Sequence, residues 1–109
     1  MPEFAVVLCT VGSKEQADTI AKTLVNERWA ACVNILPTVI SHYHWEGKVC
    51  EDSELMLVIK THRSLIENII ERIRELHEYE VPEIIALPIV AGSRNYLKWL
   101  ASEIKKDGN

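Results

Sequence analysis

With 109 residues, 48% of them apolar and 26% charged, the chain has material for one domain, residues 1–109, built around one core. Its formal net charge of −4 excludes a general phosphate-backbone binder, which needs a concentrated basic face, so no nucleic-acid partner is expected. No stretch approaches the roughly 20 apolar residues of a membrane helix, and Met1-Pro2-Glu3 before a short apolar run does not read as a signal peptide. Cys9, Cys32 and Cys50 are odd in number and share no C-x-x-C spacing, so they read as free thiols of a reducing cytoplasm.

Phe4–Cys9 is continuously apolar and reads as a central strand covered on both faces. Ser13 with Gln16 forms a capping box, and Ala17, Ile20, Ala21, Leu24 and Val25 recur behind it at helical spacing. Ala30–Leu36 is a second strand. Pro37 interrupts it, because proline cannot donate to a ladder, and strand character resumes over Thr38–Trp45, which predicts a bulge near Pro37. Glu46-Gly47 suits a tight hairpin turn, and the return runs Lys48–Cys50 and then Leu55–Lys60. A two-residue turn there sets Trp45 opposite Lys48, Tyr43 opposite Cys50 and His42 opposite Glu51.

Ser64 and Glu67 form a second capping box, and Leu65, Ile66, Ile69, Ile70, Ile73 and Leu76 follow with a 3.6-residue period. The next segment, His77-Glu78-Tyr79-Glu80-Val81-Pro82-Glu83, packs a histidine, a phenol and several carboxylates into one helix-to-strand corner. Ile84–Val90 reads as a strand that Pro88 marks as an edge or an end. Ser93 caps a last helix with Tyr96, Leu97, Leu100, Ala101 and Ile104 on its apolar face, and Lys105-Lys106 follow near its C-terminus, where the dipole favours cations.

The order β-α-β-β-α-β-α predicts an α+β chain of the ferredoxin-like sandwich type: a four-stranded antiparallel sheet, two helices on one face, and an added C-terminal helix. The long middle hairpin overshoots that sheet. A protruding ribbon with exposed Tyr43 and Trp45 needs a cover, and a second copy of the chain is the expected one.

Leu8-Cys9-Thr10, Ala30–Ile35, Tyr43–Gly47, Lys60-Thr61, His77–Ile84 and Tyr96-Leu97 with Trp99-Leu100, in this order and spacing, resemble the CutA family of divalent-cation tolerance proteins over nearly the whole chain. The resemblance implies a stable homotrimer whose hairpins pair across subunits, similar in structure to the PII signalling proteins that bind small ligands between subunits. Where the family usually reads His-Pro-Tyr, this chain has Glu78. Without that proline the helix before it is free to run further. Some members bind copper through a cysteine of the first strand and histidines at this loop. Cys9 and His77 match one of each, whereas Leu76 stands where a tandem histidine would be.

Each candidate has a plain alternative. Cys9 is either a small buried hydrophobe or a thiolate ligand, and the latter needs access and a polarising neighbour. His77 either caps its helix or contacts copper or another divalent cation with help from Glu80 or Glu83. His42 and His44 share a strand face. Tyr43 and Trp45 read as interface anchors or as stacking surfaces. With Lys60, Tyr79 and Glu83 they form the expected lining of an inter-subunit cleft. No G-x-S-x-G, P-loop or G-x-G-x-x-G motif is present, and the expected role is non-enzymatic, with no cofactor required. The first expectation is a cytoplasmic homotrimer of divalent-cation tolerance with weak copper binding. The alternative is a PII-like sensor or scaffold that takes a small anion or a protein partner in the cleft.

Overall fold

The computed structural model describes residues 3–106. Its elements are β1 (Phe4–Val11), α1 (Lys14–Asn26), β2 (Cys32–Trp45), β3 (Lys48–His62), a 3-10 turn (Arg63–Leu65), α2 (Ile66–Leu76), β4 (Ile84–Pro88) and α3 (Arg94–Glu103). The four strands form one sheet in the order β2-β3-β1-β4, with every neighbouring pair antiparallel.

Alternation along β1 sets the two sides of this sheet. Ala5, Val7, Cys9 and Val11 are buried, and the register brings Thr61, Ile59, Leu57 and Leu55 of β3 beside them. Against this side pack Ala17, Ile20 and Leu24 of α1 and Ile69 and Ile73 of α2, so the periods of two and 3.6 meet in one core. Arg72 reinforces the helix pair from outside, with Nε and Nη2 each donating at 2.9 Å to a carboxylate oxygen of Glu27. Leu100 and Ile104 form a second cluster with Leu65, flanked by Phe4, Trp29 and Ala31.

The opposite side of the sheet carries no helix from this core. Val6 and Leu8 lie there, paired with Lys60 and Val58 of β3, with Leu36, Ile85 and Leu87 on the flanking strands at 43–52% exposure. The prediction that β1 is covered on both faces is therefore met on one side only within a single chain. β4 lies at an edge of the sheet and ends at Pro88, two residues short of the sequence expectation. Ile89 then donates to the Phe4 carbonyl at 2.9 Å.

The hairpin register matches the predicted pairs: Trp45 with Lys48, Tyr43 with Cys50 and His42 with Glu51. The irregularity falls between Leu36 and Val39, at Pro37. Glu46 and Gly47 both have positive φ, 50° and 79°, as a tight hairpin turn of matching twist requires. β1 reaches along β3 only to Leu55, so the segment Lys48–Glu54 pairs with β2 alone. This two-stranded arm stretches the molecule to 44 Å against 25 and 22 Å in the other directions.

Three local expectations change. The Ser64–Glu67 capping box does not form. His62 caps the turn instead, its Nδ1 accepting from the Ser64 N–H at 3.0 Å, and α2 begins at Ile66 with no side-chain cap. The Ser13 hydroxyl does accept from the Gln16 N–H at 3.1 Å, but the Gln16 side chain turns away from the helix start. Its Nε2 donates to the Leu76 carbonyl at 3.2 Å and its Oε1 accepts from the Glu78 N–H at 2.7 Å. α2 stops at Leu76, with His77 extended at φ −76°, ψ 139°, so the chain turns where a proline at 78 would have made it turn. The Glu78 N–H, which proline would lack, is the group that Gln16 holds.

Gln16→Ala removes both bonds of this clamp. We expect a loss of about 1–3 kcal/mol, read as a lower urea midpoint at unchanged slope. Stability equal to wild type would show that the clamp contributes nothing.

Candidate functional site

Tyr79 lies beside the end of β1, with its hydroxyl close enough to Gly12 that a side chain there would meet it at 2.9 Å. Gly12 thus leaves the phenol room to reach β3, where its O–H donates to Glu54 Oε2 at 2.8 Å. Glu54 is 8% exposed, and beside it in the arm Asp52 accepts from the Tyr43 hydroxyl. These two phenol–carboxylate pairs stand in a groove of about 690 Å³ between the hairpin arm and the 79–83 segment, with Thr10, Trp45, Glu80 and Glu83 also on its walls. Both phenols are held protonated. Donation to Asp52 pushes Tyr43 up to about 12, while burial and then the Glu54 bond raise Tyr79 further.

His77 anchors this wall. Nε2 donates to the Thr10 carbonyl at 2.8 Å, and Nδ1 accepts from the Tyr79 N–H at 3.0 Å. The ring also lies 4.7 Å from the Tyr79 ring, centroid to centroid. In this tautomer neither nitrogen has a lone pair free for a metal. Cys9 is fully buried on the core side, its thiol 3.7 Å from the same Thr10 carbonyl. Burial first, then the charges of Glu83 and Glu54, push the thiol up to about 12, the reverse of what a thiolate ligand needs. The structure therefore brings Cys9 and His77 to one carbonyl but leaves neither with an available donor. Among the described residues no three His, Cys, Asp or Glu side chains are grouped to hold a metal ion.

Four of the five expected cleft residues, Tyr43, Trp45, Tyr79 and Glu83, line the groove. Lys60 does not. It sits between Val6 and Cys32 in the sheet, and its Nζ donates to Asn34 Oδ1, two residues along β2 from Cys32. His42 lines the groove as well, and its Nε2 lies 3.9 Å from Glu51. Sequence reasoning missed Thr10, Asp52, Glu54 and the positioning residue Gln16. The predicted register already set Ser41 opposite Asp52, two residues from Tyr43, so the Tyr43–Asp52 diagonal was within reach. The sequence marked Gln16 only as part of a capping box, and nothing marked Glu54.

A four-stranded antiparallel sheet with three helices, an overlong hairpin and a groove at the hairpin's root define a small α+β protein of one recognisable class. The family described as "CutA1 divalent ion tolerance protein" matches residues 5–103. The "Divalent-cation tolerance protein CutA" of Thermus thermophilus is 57% identical over 87% of this chain and 92% of its own length. "Protein CutA, chloroplastic" of Arabidopsis thaliana is 50% identical over 92% of this chain, which spans only 55% of that protein. The crystal structure of CutA1 from Oryza sativa superposes with a TM-score of 0.93 at 45% identity, covering 96% of each chain. This chain belongs to the CutA1 family. The family is named for tolerance of divalent ions rather than for a reaction, and among the described residues no helix is long and apolar enough to cross a membrane.

The Cys9 environment sets an alkaline limit on stability. The thiol's folded pKa lies above its ordinary 9.0, so its contribution is whole below about pH 9 and is lost as pH rises toward about 12. Denaturant midpoints between pH 8 and 11 (~ range around the ordinary thiol pKa) are expected to fall more steeply for wild type than for Cys9→Ala. Parallel profiles would show that Cys9 ionises freely.

Proposed function

We propose that the chain is a non-enzymatic homotrimer of divalent-cation tolerance whose ferredoxin-like subunits meet through their helix-free sheet faces in the cytoplasm. The observation that carries this reading is the bare apolar surface. Leu36, Ile85 and Leu87 on the sheet, with Ile40 and Val49 on the arm, are 43–72% exposed, which is costly for an isolated chain in water. Only part of β3 has two neighbours, so the arm offers free backbone groups to another copy. A three-fold arrangement buries both features at once. Sedimentation at micromolar concentration is expected to give three chains per particle, and Leu87→Arg to shift the mass toward one. A monomeric wild type overturns the proposal.

Copper at Cys9 and His77 belongs to this reading only as a low-affinity ligand. Uptake requires Cys9 to lose its proton in a buried site, and His77 to release the Thr10 carbonyl or the Tyr79 amide. Titration of Cu²⁺ is expected to show weak binding that drops further in His77→Ala and Cys9→Ser. Equal affinity in all three proteins removes both residues as ligands.

A second reading, the PII-like sensor, is favoured by the groove itself. Its volume suits an organic molecule and its polar groups converge, as ligand sites do. The expected anionic ligand is disfavoured there, since Asp52, Glu54, Glu80 and Glu83 line the groove without a Lys or Arg.

A further inference from the structure

We infer that α3 is a strap that opens and closes as a unit on the folded domain, and that Arg28 is the latch that sets how often it opens.

The latch is built on a strained residue. α1 ends in a Schellman turn, in which the Arg28 N–H donates to the Val25 carbonyl at 3.1 Å and the Trp29 N–H to the Leu24 carbonyl at 3.0 Å. The turn holds Arg28 at φ 64°, in the left-handed region where glycine is the usual occupant and a side chain is disfavoured. The arginine supplies there what glycine lacks. Its Nη1 donates to the Glu103 carbonyl at 3.0 Å and lies 3.3 Å from Glu103 Oε1. Glu103 is the last residue of α3, so its carbonyl is among those that no intrahelical N–H reaches. The Arg28 carbonyl in turn accepts from the Lys105 N–H at 2.8 Å, and the Lys105 ammonium lies 5.0 Å from the centre of the Trp29 ring. Two adjacent residues thus close on the end of one helix from three directions.

α3 is the helix for which such a latch matters. α1 and α2 contribute Ala17, Ile20, Leu24, Ile69 and Ile73 to the main core, and no residue of α3 joins them. Leu100 and Ile104 pack instead in the small cluster with Leu65, against Phe4, Trp29 and Ala31. Trp29 borders both clusters and forms the seam between them. The segment 89–93 that leads into α3 has no regular structure, and Ser93 within it caps the helix. An element with a small buried surface, its own cap and an irregular lead-in opens before the domain does. The other half of the joint is firm. Glu27, next to Arg28, is tied to Arg72 of α2 at 2.9 Å and takes the Trp29 indole N–H at 3.0 Å. Every one of these contacts lies within one chain, at the Phe4 and His62 end of the sheet and away from the hairpin arm. Opening of α3 bares Phe4, Ala31 and Leu65 and leaves the main core closed.

The test is amide hydrogen exchange of the assembled full chain, read residue by residue at two protein concentrations. Arg28→Gly keeps the left-handed turn and removes the side chain. The amides of residues 97–103 are expected to exchange about tenfold faster, the size of one charge-assisted hydrogen bond, while those of Val7, Ile59 and Ile69 keep their rates. Arg28→Asn, whose side chain also tolerates this φ, is expected to do the same, which separates loss of the latch from a loosened end of α1. Glu103→Gln keeps the carbonyl and loses only an exposed ion pair, so the α3 rates are expected to change by less than about twofold. Unchanged α3 rates in both Arg28 variants overturn the latch. Equal acceleration of core and α3 amides overturns the strap, because the helix then unfolds only with the domain. Wild-type α3 rates that fall as protein concentration rises show that another copy holds the helix, and overturn the inference as well.

Discussion

The rest of the molecule depends on β3 serving two partners of unequal length. Over Leu55–His62 it is a central strand, with β1 on one side and the core residues Leu57 and Ile59 beneath the helices. Over Lys48–Glu54 it has β2 as its only neighbour, and the same backbone becomes an arm. The core fixes the first half rigidly, and the continuous ladder carries that orientation outward. The groove forms where β1 stops, between the three-stranded part of the sheet and the two-stranded arm.

That boundary is closed by side chains rather than by strand pairing. His77 reaches from the end of α2 to the Thr10 carbonyl near the end of β1, and its other nitrogen takes the Tyr79 amide. Gln16 holds the same corner from the first turn of α1 through Leu76 and Glu78. Buried polar groups of this kind are costly unless paired, and here each bond also fixes the position of Tyr79. The residues expected to hold a metal thus hold the protein to itself.

The sequence made the fold legible where periodicity and turn chemistry agreed. The alternation of β1, the 3.6-residue period of α2, the Pro37 break and the Glu46-Gly47 turn sufficed for element order and for the hairpin register down to Tyr43 opposite Cys50. What lay beyond reach depended on distant partners. Gln16 in position to complete a capping box bonds instead to residues about sixty positions away. His62 displaced Ser64 as the cap because strand β3 delivers its ring directly over the turn. Lys60 was expected in the cleft lining, yet it pairs between Val6 and Cys32, away from the end of β1 where the groove forms, and donates to Asn34. Tyr43, Trp45, Tyr79 and Glu83 were legible as groove residues. The buried Glu54 was not, since nothing in a run of exposed acids distinguishes the one that a tyrosine will cover.

Glu78 changes what kind of corner this is. A proline stiffens a turn through a covalent ring, whatever the neighbouring elements do. A glutamate leaves the turn to be held by its N–H on Gln16, and that bond exists only while α1 and the end of α2 stay in register. The wall of the groove is consequently mortgaged to the first turn of a helix on the other layer of the domain. Strain at one is felt at the other, and the corner is a reversible joint where a proline would have made a fixed one.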